Sequence, residues 1–211
     1  MSEATAPLSP SQRFQAVVVG VSMGGLEALR RLFNRLDAQF PLPIMVVQHL
    51  GAGSGDGPGP LLDAMCPIHI KEADDGEVPQ PGTVYLAPAN YHLLVELDGT
   101  LGLSIDEPVN FARPSVDVLF ESAAATFGPG LIGVLLTGAG RDGSQGLLTI
   151  QQLGGQTLVQ DPRDAVADSM PLSALQVLKP DAILPLEALA DHLQCLAQNS
   201  QMFDTGPKRL I

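Results

Sequence analysis

The sequence predicts an α/β fold: a single doubly wound, mostly parallel sheet flanked by helices, with one local antiparallel β-hairpin. Three observations carry this. Short continuous apolar runs such as AVVVG and LIGVLL read as strands buried on both faces, the pattern of a parallel sheet covered on either side. Such runs alternate with segments whose apolar residues recur at helical spacing, which is how parallel crossovers are built. The 22 glycines and 18 prolines among 211 residues exceed the usual share of roughly 12 % and call for many short elements joined by tight turns.

Ala16 to Gly20 is the first strand, expected mid-sheet. After the turn VSMGG, residues Leu26, Leu29, Leu32, Phe33 and Leu36 mark an amphipathic helix, with Glu27, Arg30, Arg31 and Arg35 on its other faces. Pro43 to Gln48 is the second strand, and a helix around Leu61 to Met65 leads to a third near Ile68 to Lys71. Between Thr83 and Asp106 two alternating runs joined by Asp98-Gly99 predict the hairpin, because Asp-Gly favours the positive φ of a tight turn. Pro114 to Thr126 is helical, Leu131 to Leu136 a strand, Ser144 to Leu153 a helix and Gln156 to Val159 a strand. Two more helices flank a short strand at Ala182 to Leu184. Residues 14–197 form one domain in this reading, between a disordered N-terminal tail at 1–13 and a C-terminal tail at 198–211.

Charge narrows the function. With 11 basic and 23 acidic residues the formal net charge is −12, which repels polyphosphate and anionic headgroups, so no nucleic acid partner is expected. Cys66 and Cys195 lack metal-ligand spacing and read as reduced, buried thiols. The N-terminus has no signal-peptide pattern and no apolar run is long enough for a span, so no membrane insertion and a cytoplasmic location are expected.

In a parallel sheet the loops after the strands gather along the carboxyl edge, where open α/β sheets place ligands. Here those loops are Gly20-Val21-Ser22-Met23-Gly24-Gly25, then Gln48-His49, then Thr137 to Gly143, so Ser22, His49 and Asp142 share one edge. The first loop matches G-x-S-x-G, a sharp strand-to-helix turn that exposes the serine hydroxyl beside helix N-terminal N–H groups. Phosphate binding is the competing use of such a turn, but the loop lacks G-x-G-x-x-G and has Leu26-Glu27 where a P-loop needs Lys-Ser or Lys-Thr. A lone His49 is equally read as a structural histidine, and Asp142 as a helix N-cap before Ser144. Together the three residue types can form a proton-relay triad, in a chain order unlike that of the α/β-hydrolases.

The segments GVSMGGLEAL, VVQHL, KEADDGE, PGTVYLAPANYH, RPSVDVLFES, LLTGAGRDGSQG and QDPRDAVADSMP, in that order, resemble the chemotaxis-type protein-glutamate methylesterase family over about residues 15–197. The resemblance implies a doubly wound hydrolase of glutamate γ-methyl esters on chemoreceptors or related sensory proteins, some members also deamidating glutamine. It places the nucleophile on Ser22, the general base on His49 and the orienting aspartate on Asp142, and it requires neither metal nor organic cofactor. Members of the family commonly carry an N-terminal receiver domain. Only about 13 residues precede the first strand here, so a stand-alone catalytic domain, with a possible separate regulatory protein, is expected.

Three positions depart from the family pattern. Met23 replaces a small residue and is expected to narrow the cleft; Ala139 replaces a methionine; and the 51–60 segment GAGSGDGPGP, where a proline-containing stretch leading into a helix is usual, is glycine-rich and is expected to be mobile. Two other readings follow from the residues: a catalytically silent binding or regulatory module of the same fold, and a nucleotide-binding protein using Gly20 to Gly25 as a phosphate cradle.

Overall fold

The computed structural model describes residues 13–49 and 57–201. Seven parallel strands form the main sheet in the order β3-β4-β2-β1-β7-β8-β9, with a separate antiparallel pair β5-β6. In chain order these are β1 (Ala16–Val21), β2 (Ile44–Gln48), β3 (His69–Glu72), β4 (Thr83–Leu86), β5 (His92–Val95), β6 (Leu101–Ser104), β7 (Leu131–Leu135), β8 (Gln156–Gln160) and β9 (Ala182–Leu184). The helices are α1 (Gly25–Phe33), α2 (Gly59–Met65), α3 (Val116–Phe127), α4 (Ser144–Gln152), α5 (Ser169–Val177) and α6 (Leu186–Gln201). No helix among the described residues is long and apolar enough to cross a membrane.

The fully buried β-branched run of β1 occupies the sheet centre. Its odd-numbered residues Val17, Val19 and Val21 face α1, α2 and α6, while Ala16 and Val18 face α3, α4 and α5. Burial on both faces is what a continuous apolar strand requires. The chain winds outward one way from β1 through β2 and the other way through β7, so the loops after β1 and β7 flank the topological switch point.

Several expectations change. Thr83–Leu86 is not part of an antiparallel excursion; it is β4, inserted between β2 and β3. Val84, Tyr85 and Leu86 are all buried, so the segment obeys the two-sided rule of a parallel strand. Only His92–Val95 and Leu101–Ser104 form the hairpin, closed through Gly99 at φ 87° with Asp98 accepting from the Thr100 N–H and hydroxyl. The last helix continues to Gln201, past the boundary expected at 197, because the Ser200 hydroxyl is buried against Phe14, accepting from its N–H at 2.7 Å. Cys195, expected buried, is exposed on this helix, and Cys66 is only half-buried. The expected tail at 1–13, save its last residue, the remainder of 198–211 and residues 51–56 of the glycine-rich loop lie outside the described residues.

Candidate active site

Ser22 and His49 follow directly on β1 and β2. Gly20 pairs with Val47 and Val21 with Gln48, and the ladder continues with the His49 N–H donating to the Val21 carbonyl at 3.0 Å. On the other side the Ser22 N–H donates to the Thr137 carbonyl at 3.0 Å. Ser22 thus sits between the ends of β2 and β7, with adjacent strands about 4.8 Å apart. Side-chain alternation carried one step past the strand ends assigns both Ser22 and His49 to the α3 face of the sheet.

The glycines of the first turn have separate causes. A Cβ at Gly20 would run into Val116 in the first turn of α3. Gly24 has φ 78° and serves as the N-cap position of α1, and a Cβ at Gly25 would run into the Gln48 side chain. Gln48 in turn ties the two loops together: its Nε2 donates to the carbonyls of Ser22 (3.0 Å) and His49 (2.8 Å). The N–H groups of Met23 and Gly24 make no hydrogen bond among the described residues, and they stand at the positive end of α1. The Thr137 hydroxyl lies 2.9 Å from the Met23 carbonyl and fixes the turn. Met23 itself is exposed and lines neither cavity of the site, so the expected narrowing of the cleft does not occur. Gly138 passes so close that a Cβ there would press on Ser22 and Met170.

Asp142 is buried and meets His49 directly: Nε2 of His49 lies 2.8 Å from its Oδ2. A carboxylate only accepts, so this contact requires the proton on Nε2 and leaves Nδ1 as the basic nitrogen. Asp142 also accepts from Val116 N–H (2.7 Å), Asp117 N–H (3.1 Å), Ser115 hydroxyl (2.8 Å), Asn110 Nδ2 (3.0 Å) and Gly143 N–H (3.1 Å). The alternative reading as an N-cap therefore falls on a different helix. Asp142 closes the N-terminus of α3, whereas α4 begins after Gly143 at φ 91°. Burial alone would raise its pKa, but the contacts from His49, Val116, Asn110 and Ser115 outweigh that and hold the carboxyl below its ordinary value.

A second buried carboxylate, Asp117, sits one turn away. Its Oδ1 accepts from the Gly146 N–H at 2.7 Å and its Oδ2 from Asn110 Nδ2 at 2.7 Å. Burial first, then the charge of Asp142, pushes it up to about 6. Asn110 donates to both carboxylates from a turn, Val109 to Ala112, in which Asn110 (φ 52°) and Phe111 (φ 63°) are both left-handed. The sequence does not point to Asn110, Ser115, Asp117 or Gln48; their roles depend on tertiary approach. Among the other histidines, buried His92 accepts the Ser115 N–H at 3.2 Å and so supports the residue that contacts Asp142, while His69 pairs with Asp63 on the surface.

Two cavities open at this edge. One of about 520 Å³ is lined by His49, Asp142, Asn110, Arg113, Ala139 and Arg141 among others. The other, about 480 Å³, lies on the Ser22 side against Gln48, Leu61 and Met65. His49 thus lines the first and Ser22 the second, each just beyond one of two adjacent strands. The Ser22 hydroxyl forms no hydrogen bond among the described residues. No cluster of potential metal ligands occurs among the described residues.

Residues 17–193 match the profile of the family described as CheB methylesterase. The chain belongs to the CheB methylesterase family. A relative from Leptospira interrogans, provisionally named protein-glutamate methylesterase/protein-glutamine glutaminase, is 47 % identical over 187 residues, which span 89 % of this chain and 97 % of that protein. The protein-glutamate methylesterase/protein-glutamine glutaminase of Bordetella parapertussis is 41 % identical over 191 residues, 89 % of this chain and 54 % of that one. Among solved structures, the Thermotoga maritima CheB methylesterase catalytic domain superposes with a TM-score of 0.82 at 34 % identity, covering 87 % of this chain and 98 % of that one. The chain accordingly has the CheB catalytic-domain fold and is an enzyme of the methylesterase class.

Proposed function

We propose that this CheB-family chain hydrolyses γ-methyl esters of glutamate side chains on a chemoreceptor or related sensory protein, with Ser22 as nucleophile, His49 as general base and Asp142 as the residue that orients it. The observation that carries the reading is the 2.8 Å contact between His49 and an otherwise saturated, buried Asp142, one strand from the exposed turn of Ser22. His49 takes the Ser22 proton through its free nitrogen as Oγ attacks the ester carbonyl. The carbonyl oxygen becomes an oxyanion within reach of the unpaired N–H groups behind Ser22, which stabilise it without reorganisation. Protonated His49 returns the proton to the departing methoxide, methanol leaves, and a water activated by His49 hydrolyses the acyl-enzyme to glutamate. Asp142 stays ionised throughout, because its hydrogen bonds hold its pKa low, and stabilises the imidazolium. A glutamine carboxamide presents the same carbonyl, with ammonia as leaving group.

Methanol release from methylated receptor membranes tests this. The wild-type chain is expected to release methanol, and Ser22→Ala to lose at least about 10⁴-fold in rate. Equal release by both proteins would overturn the role of Ser22, and absence of release by the wild type would favour a silent module of the same fold.

A further inference from the structure

In a chain of net charge −12, the placement of unneutralised positive charge is informative. Arg30, Arg31, Arg35, Arg163 and Lys71 each sit in a salt bridge with a carboxylate. Arg113 and Arg141 form none among the described residues, and both line the 520 Å³ cavity beside His49. Arg113 spends its Nη1 on the backbone carbonyls of Ile105 (2.7 Å) and Asp106 (3.0 Å), and its buried Nε has no hydrogen-bond partner. Arg141 is exposed and no acceptor or carboxylate among the described residues engages its guanidinium. Lys179, also outside any salt bridge, precedes β9 at the amino edge of the sheet, opposite the site. The one acid lining the cavity among the described residues is Asp142, whose oxygens already accept six hydrogen bonds.

We infer that this cavity is a subsite for a carboxylate next to the scissile ester, with Arg141 as its anchor and Arg113 as its inner wall, and that it sets which flanking residue is preferred. This deepens the methylesterase reading and rests on it. The overall charge of the chain repels an acidic segment at long range, and the two guanidiniums lining the cavity with His49 supply local positive charge where the ester must bind. A guanidinium is suited to the role because its planar fork holds a carboxylate in a fixed orientation.

The test uses short peptides with a central γ-methyl glutamate flanked by Glu, Gln or Lys. Relative kcat/KM is measured for the wild type, Arg141→Ala and Arg141→Glu, and binding of the same peptides is measured with Ser22→Ala protein. The wild type is expected to favour Glu over Gln flanks by about fivefold at low ionic strength, near the upper range for an exposed ion pair, and to lose the preference as salt is raised. Arg141→Ala abolishes the preference and Arg141→Glu reverses it toward Lys flanks; these are ratios, so a general loss of activity does not affect them. No Glu preference in binding to Ser22→Ala protein, or a preference that survives Arg141→Glu, overturns the subsite. Binding selectivity without turnover of any peptide sustains the subsite and refutes the esterase reading instead.

Discussion

The two halves of the site are built on opposite principles. On the acid-base side, Asp142 is buried under six hydrogen bonds that also close the N-terminus of α3, and His49 is held against it. On the nucleophile side, Ser22 tips an exposed turn, its hydroxyl and the next two N–H groups unengaged. The first half is preset by packing, so its residues carry both catalysis and stability. The second keeps its polar groups free for substrate, so the Ser22 hydroxyl can be removed with little consequence for the fold.

Substitutions that act on one half sharpen this contrast. Asp142→Asn is expected to lower kcat by about 10⁴-fold, since an amide no longer fixes the tautomer or the imidazolium. It should also cost about 1–3 kcal/mol of stability, because its NH₂ faces N–H donors that then lack an acceptor; denaturant unfolding measures this. Ser22→Ala should match it in lost turnover with an unchanged unfolding midpoint. Equal destabilisation by the two variants would erase the distinction between the halves.

Asn110→Gly keeps the left-handed turn, which glycine adopts freely, but removes the amide shared by two carboxylates. Hydrogen bonds to charged groups contribute about 1.5–3 kcal/mol, so kcat should fall by about tenfold or more with KM little changed. The acid limb of the rate profile should move to higher pH as Asp142 becomes more basic. A rate loss without that movement would make Asn110 merely structural.

The smallest effect concerns Asp117. Its folded pKa lies above its unfolded one, so it contributes stability at low pH that is lost as pH rises through about 6. Asp117→Asn carries no such loss. The Tm of the variant relative to wild type should therefore be more favourable at pH 7 than at pH 4, and a constant difference would show that Asp117 is not held in its neutral form.

The same contrast explains what the sequence revealed. That Ser22, His49 and Asp142 share one edge was legible because Ser22 and His49 lie immediately beyond strands of strong apolar pattern and Asp142 in the loop after a third, and a parallel sheet gathers such loops. Asn110, Ser115 and Asp117 were not, because they reach Asp142 through the packing of α3 and the 109–112 turn against the sheet. Nothing in local periodicity encodes that approach, and Phe111 at positive φ runs against its own preference. β4 was hidden for a related reason. Thr83–Leu86 reads as one arm of an alternating segment until its neighbours β2 and β3 bury both of its faces. Met23 was misjudged because the exposure of its side chain is a tertiary feature that the motif does not encode.

The central claim is that a preset His49–Asp142 pair activates a free Ser22. It is tested most directly by the rate and site of covalent labelling with a serine-directed phosphonate, read by peptide mass spectrometry. The account predicts one adduct, on Ser22, formed by the wild type and slowed by orders of magnitude in Asp142→Asn protein that remains folded. Labelling at another residue, or Ser22 labelling at the wild-type rate in folded Asp142→Asn, would contradict it.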